Sequence, residues 1–472
     1  MPARKPNSGA RPAIPGKLAP GMRLPRELVA ESQRARLGIA LVELVDAQGF
    51  ADTSLADLTA RAHVARAAFY EHFGSMEGCF TAAYDDHLAR GAGQLVSAYN
   101  APGMEDGERA HTALSALAAF AQVWPAAARV CLGDVLTVAH GTVEAREQLD
   151  EGTHALLDSA LGTDGVHTTR APVLVTATIG AIRRALYVHL CERPARELLA
   201  LAEQLFDWVC VYGAEPPAGD WGEALSADGH LGAAAASGGD MGTKGLAPDE
   251  GPKERILAAV LRLAANGEGE SISLADIAAT AGVSFGTFYK HFRTSQEALL
   301  AACEAVHERL IEQAGDAYAV ALGGPADGQD GAAPLWAVGI ARALGAYLAA
   351  AAADPASTRT MVLGSLSLGR PGLDFLDRRA QALKQLLGPG LRAHPDLPAP
   401  TADMLAGAIL EVVHDHALHD RLEHLPELQE QLTYIVLAPL LAAHEGHSHA
   451  EHLLETPHSS TTIAAKRARA RR

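Results

Sequence analysis

The sequence predicts an all-α fold built as two tandem modules. Each module is an N-terminal three-helix helix-turn-helix domain followed by a helical bundle. Three observations predict it. The segment SLADLTARAHVARAAFYEHF, Ser54 to Phe73, returns as SLADIAATAGVSFGTFYKHF, Ser273 to Phe292, 219 residues later, with 11 of 20 positions identical and no gap. Extending upstream to Arg36 and Arg255 keeps the register, with 14 of 38 identical. A repeat of this size is two copies of a whole domain. The chain is 48% hydrophobic but only 5% aromatic; its Ala/Leu runs and scarce β-branched clusters favour helices over strands.

Taken in order, residues 1–28 read as a disordered basic arm. Residues 1–30 hold six basic side chains and one acid, although the whole chain carries −17. Such a balance excludes a general nucleic-acid coat and fits arms that reach phosphates beside an acidic body. No apolar core follows the N-terminal basic residues, so no signal peptide is expected. Residues 29–88 are expected to form the first helix-turn-helix domain. Ser54 and Asp57 make an S-x-x-D capping box. Leu55, Leu58, Ala62, Val64, Phe69 and Phe73 line the core face. His63 stands at the turn and tolerates a left-handed backbone better than most residues. Ala65 precedes the second helix, and Arg66, Ala67, Tyr70 and Glu71 form its outer face. Arg66 suits guanine or phosphate.

Residues 89–213 are expected to form the first regulatory bundle. Its most apolar stretch, Ala171 to Leu190, is interrupted by Arg183 and Arg184, which argues for a buried amphipathic helix and against a membrane span. Residues 214–252 read as a linker, Gly-, Ala- and Asp-rich with no apolar period. Its roughly 38 residues reach about 30–37 Å, comparable to the ~34 Å between recognition helices on successive major-groove turns.

The second helix-turn-helix domain is expected at 253–310. Ser273 with Asp276 caps one helix, Gly282 supplies the turn, and Ser284 caps the next. Phe288, Phe292 and Val283 point to the core. Phe285, Gly286, Tyr289 and Lys290 are left on the outer face, the face that can enter a major groove. Thr294 and Glu297 box the start of a fourth helix. A second bundle is expected at 311–444, and a disordered His-rich, basic tail at 445–472. The repeat persists, blurred, through the bundles: His189 and His416 are 227 apart.

The run Ala281-Gly282-Val283-Ser284-Phe285-Gly286-Thr287-Phe288-Tyr289-Lys290-His291-Phe292 resembles the TetR family of bacterial repressors, and Ala62 to Phe73 is a looser match. The likeness covers roughly fifty residues in each copy. The resemblance implies that Thr287, Tyr289 and His291 hold the DNA backbone, with Tyr70 and His72 as their counterparts. Ala68 occupies the Thr position of the first copy. The Lys often found at the start of the family's fourth helix is replaced here by Met76 and by Ser295 or Gln296. The resemblance also implies that each helical bundle is a ligand-binding and dimerisation domain, whose last two helices pair across the dimer as a four-helix bundle.

Together these readings give DNA-binding candidates Ser54, Ala65, Arg66, Ala67, Tyr70, His72, Ser273, Ser284, Phe285, Gly286, Thr287, Tyr289, Lys290 and His291. The expected partners are a double-stranded DNA operator and a small-molecule effector, with no membrane. The Leu-, Val- and Ala-rich bundles suit an apolar or aromatic effector. The two modules are expected to act as an intramolecular pseudo-dimer, with a further homodimer left open, in a bacterial cytoplasm. No catalytic residue, cofactor or metal is expected. No nucleophile–base pair appears, and His414, His416, His419 and His424 lack the spacing of a zinc site. The five cysteines are scattered and read as reduced thiols. A helical scaffold with degenerate helix-turn-helix units is the alternative.

Overall fold

The computed structural model describes residues 25–104, 106–133, 171–213, 251–266, 272–322 and 334–441. The basic tail, most of the expected linker and all but the end of the N-terminal arm lie outside them. Helices dominate, and no strand occurs among the described residues.

The first module begins with α1 (Arg26–Gln48), which takes up the last residues of the expected arm, and continues with α2 (Leu55–Ala62), α3 (Arg66–Phe73) and α4 (Met76–Tyr99). Then come α5 (Asp106–Val123), α6 (Pro125–Leu132), α7 (Ala171–Glu192) and α8 (Leu198–Cys210). The second module repeats the order as α9 (Pro252–Asn266), α10 (Leu274–Ala281), α11 (Phe285–His291), α12 (Ser295–Leu322) and α13 (Leu335–Ala353). It ends with α14 (Pro355–Val362), α15 (Arg370–Ala393), α16 (Thr401–Leu418) and a helix over 429–441, α17.

Each helix-turn-helix has its own core. In the first, Leu37, Leu41 and Val45 of α1 meet Leu58, Phe69 and Phe80. In the second, Ile256 and Val260 of α9 meet Ile277, Phe288 and Phe292. The bundles behave differently. Leu186, Leu198, Leu205 and Trp208 of the first module share a single hydrophobic core with Leu344, Phe375, Val412 and Val436 of the second. The Tyr212 hydroxyl donates to the Ile435 carbonyl at 2.8 Å across the two modules. Burial of this shared apolar surface is the main force holding the modules together.

α7 and α13 are long and apolar enough to cross a membrane by length and composition. Most of the apolar stretch of α7 is buried, chiefly against α16, and half of that of α13, chiefly against α12.

α7 crosses α16 at two glycines. A Cβ on Gly180 would stand 2.5 Å from the Gly407 carbonyl oxygen, and a Cβ on Gly407 would stand 2.5 Å from the Gly180 oxygen. Only a hydrogen fits at either position. A cavity of about 60 Å³ opens beside this crossing, lined in part by Arg183, Arg184, Asp377, Arg379 and Glu411. That space holds several waters or one small molecule, since a single water needs roughly 10–15 Å³. Arg184 Nη1 donates to Asp377 at 2.5 Å, Arg183 pairs with Glu411, and Lys384 Nζ donates to Asp403 at 2.9 Å. Arg379 is only 2% exposed, and its Nε and Nη2 have no partner among the described residues.

Candidate DNA-binding interface

In the second unit, the Ser273 hydroxyl accepts the Asp276 N–H at 3.2 Å and starts α10. Gly282 ends it in the left-handed region, φ 62°, where a glycine pays no Cβ penalty. The chain then reverses, and the Ser284 hydroxyl accepts the Thr287 N–H at 3.1 Å to start α11. Phe288 is fully buried and Phe292 nearly so, and both rings pack against each other with centroids 5.8 Å apart. Helical spacing then forces the neighbouring positions outward. Phe285 is 54% and Tyr289 57% exposed, large values for aromatic side chains on a seven-residue helix. Gly286, Lys290 and His291 are exposed beside them, and Thr287 is half-buried. Two side-chain caps start the fourth helix. Thr294 accepts the Glu297 N–H at 3.0 Å, and the Glu297 carboxylate accepts the Arg293 N–H at 2.7 Å.

The first unit has the same frame. Ser54 accepts the Asp57 N–H at 3.1 Å. His63 takes the left-handed turn at φ 52°, as its place opposite Gly282 suggests. Ala65 gives α3 no side-chain cap. Phe69 is buried and Phe73 half-buried against the core. Arg66, Ala67 and Tyr70 are exposed, Tyr70 at 48%. Arg66 lies along α3 with its guanidinium 5.7 Å from the Tyr70 ring centroid and Nη2 donating to the Tyr70 hydroxyl at 3.3 Å. The pair presents a joined cationic and aromatic surface beside the acid Glu71.

The two copies differ in how their histidines stand. His72 Nε2 is 2.9 Å from the Gln33 side-chain oxygen of α1, so its ring is tied to the domain's own frame. Partial burial and Arg34 hold its pKa below the usual histidine value, against Glu71. His291 is exposed, its ring tilted against that of Phe292 with centroids 6.4 Å apart.

Two arginines beside the turns were not singled out as site residues from the sequence. Arg36 Nη1 donates to the His63 carbonyl at 3.4 Å while its Nε donates to Ser32. In the second copy, Arg255 Nη1 lies within 3.9 Å of the position of a Gly282 Cβ. These arginines are the first identity of the extended repeat, and that shared register was the available signal. No group of three metal-ligating side chains occurs among the described residues, and the tail histidines lie outside them.

The family model described as "Bacterial regulatory proteins, tetR family" matches at residues 40–83 and again at 256–303. Both matches run from the first helix through the helix-turn-helix into the fourth helix. Among solved structures, the chain is similar to a TetR-like transcriptional regulator from Rhodococcus sp. RHA1, at 24% identity over 41% of this chain and 100% of that one, with a TM-score of 0.32. No curated protein matches the chain. The helix-turn-helix geometry and its two family matches together show that this chain carries two helix-turn-helix domains of the TetR family of bacterial regulatory proteins in tandem.

Proposed function

We propose that the protein is a sequence-specific, ligand-responsive transcriptional repressor of the bacterial cytoplasm, whose two helix-turn-helix units act on one operator as an intramolecular pseudo-dimer. One observation carries this reading: two helix-turn-helix units with exposed recognition faces are set on bundles that share a single hydrophobic core. A shared core fixes the relation of the two units, as subunit contacts do in a dimer. The recognition faces are unlike. Arg66, Ala67, Tyr70 and Glu71 face outward in one, and Phe285, Gly286, Tyr289 and Lys290 in the other. The operator is therefore asymmetric. Ser54, Ser273, Ala65, Ser284, Thr287, His72 and His291 act at the phosphates, where backbone N–H groups and short polar side chains fix register.

The effector site is the cavity beside the α7–α16 crossing. The walls are largely apolar, as with Leu366, Leu373, Leu376 and Leu410, and the two unpartnered guanidinium nitrogens of Arg379 add a place for a small carboxylate to the apolar effector that composition suggests. A ligand bridging α7 and α15 alters the fit between modules. It favours a state with the wrong spacing of recognition helices, and the operator is released through that difference in affinity.

The test is binding of the full chain to DNA flanking its own gene across a salt series with scrambled competitor. Tyr289→Ala with His291→Ala is the control. Saturable, competitor-resistant binding lost in the double variant supports the reading. Binding that ignores sequence and vanishes with modest salt would overturn it. Such a result would leave the second reading, a helical scaffold with degenerate units, which the tie between His72 and Gln33 favours for the first copy.

A further inference from the structure

We propose that Arg183, Arg184 and Glu411 form a pairing code: opposite charges at equivalent positions of two repeat-related helices let unlike modules pair and keep like modules apart. The partner this surface fits is the other module of the same chain, and it refuses the like module of a second copy.

The equivalence is read from sequence and geometry together. Gly-Ala-Ile stands at 180–182 and again at 407–409, and His189 and His416 keep the same separation of 227. In the structure the relation is reciprocal. A Cβ on Gly180 would collide with the Glu411 Cβ, and a Cβ on Gly407 would stand 2.5 Å from the Arg184 Cβ. Positions 184 and 411 are therefore equivalents, each packed over the other helix's glycine around a local two-fold. In a symmetric pair they would carry the same residue. Here one is Arg and the other Glu.

The surroundings follow the same division. α7 carries Arg183 and Arg184 and no acid before Glu192, its last residue. α16 carries Asp403, Glu411 and Asp415 and no Lys or Arg. Pairing α7 with α16 gives the observed contacts: Arg183 with Glu411, Arg184 with Asp377 at 2.5 Å, and Arg184 Nε 3.8 Å from Asp403. Pairing α7 with a second α7 would bring four arginines to one crossing, and pairing α16 with a second α16 would gather only acids. The side chains involved are little exposed, 18% for Arg183 and 9% for both Arg184 and Glu411. Water and salt therefore screen such repulsion weakly. Like-charge contact at an interface is a recognised way to reject a wrong partner. The covalent connection then makes the partner in the same chain the nearest one.

This inference rests on the pseudo-dimer reading above, and neither arm of its test uses DNA. The first arm is a cycle in the full chain: R183E, E411R and the exchange R183E/E411R, read by thermal unfolding. Each single reversal is expected to lower the midpoint by about 5 °C or more, and the exchange to recover at least half of the combined loss. Simple addition of the two losses would overturn the code. If a reversal does not fold, the cycle is run with R183Q and E411Q, and the double must be more stable than the worse single.

The second arm co-expresses two differently tagged copies and captures one. The wild-type chain is expected to leave its copy behind, and R183Q/R184Q/E411Q to capture it at least fivefold more. Equal low capture of both proteins would sink the code alone. Strong capture by the wild type would sink the pseudo-dimer reading with it.

Discussion

Gly180 and Gly407, 227 residues apart in sequence, touch backbone to backbone where α7 crosses α16, each occupying the space that the other's Cβ would need. The obstructing atoms are main-chain oxygens and the first carbons of Arg184 and Glu411, none of which can swing aside. Gly180→Ala or Gly407→Ala should therefore cost about 1–3 kcal/mol. The loss should appear as a lower thermal midpoint. An unchanged midpoint for both variants would mean that the helices do not cross this closely in solution.

The two recognition helices differ in their start. Ser284 caps α11, and Ala65 leaves α3 uncapped. Ser284→Ala should destabilise the chain by about 1 kcal/mol, whereas Ala65→Ser should stabilise it by up to a similar amount. Chemical denaturation of the two variants beside the wild type checks both signs.

The second helix-turn-helix should dominate DNA binding. Tyr289 and His291 are exposed, whereas His72 is held by Gln33. Tyr289→Ala with His291→Ala is expected to weaken operator binding at least tenfold, about 1.4 kcal/mol. Tyr70→Ala with His72→Ala should cost less. Mobility-shift titrations at one salt concentration compare them, and equal losses would show that both units contribute alike.

Arg379 is a buried cation with two unpartnered nitrogens. An unpaired buried charge costs more than an apolar group of similar shape. Arg379→Met should thus raise stability by about 1 kcal/mol or more. It should also abolish the upward shift in midpoint that a small carboxylate such as acetate is expected to give the wild type. A variant that is less stable and still responds to acetate would place the anion elsewhere.

His307 on α12 is buried against the edge of the Phe375 ring, and its pKa is pushed down to about 3 by burial, then by Arg379 and Arg378. The unfolded chain takes up this proton near pH 6.5, whereas the folded chain resists it down to about 3. Between these values the unfolded state binds more protons, so stability falls as pH falls from about 6.5, by up to ~1.4 kcal/mol per pH unit from this group. Burial lowers the pKa of His87, His189 and His416 as well, in the same direction. Chemical denaturation at pH 7 and pH 5 should show a smaller loss in His307→Gln than in the wild type.

The helix-turn-helix units were legible in the sequence because everything that makes them is local. Ser54 and Ser273 cap within three residues, His63 and Gly282 turn the chain on their own φ, and Phe288 with Phe292 sets the helix face by a spacing of four. Such short-range rules need no knowledge of the rest of the chain, and the repeat stated them twice. The contact of Arg36 with the His63 carbonyl was less visible, since a repeated register does not say what a side chain touches.

By itself, then, the sequence determined that this protein is all-helical, is built of two modules, and turns Tyr70 and Tyr289 toward the outside. The tertiary structure alone decided what the modules do to each other. The reciprocal contact of Gly180 with Gly407, the pairing of Arg183 with Glu411, and the isolation of Arg379 join residues that no periodicity connects. Composition pointed to an apolar effector, and Leu366, Leu373, Leu376 and Leu410 give the cavity apolar walls. Composition does not place Arg183, Arg184 and Arg379 with Asp377 and Glu411 in those walls, since only the tertiary structure brings these residues together. Burial at that crossing is what turns ordinary surface charges into a constraint, because charge removed from water must find its partner within the protein.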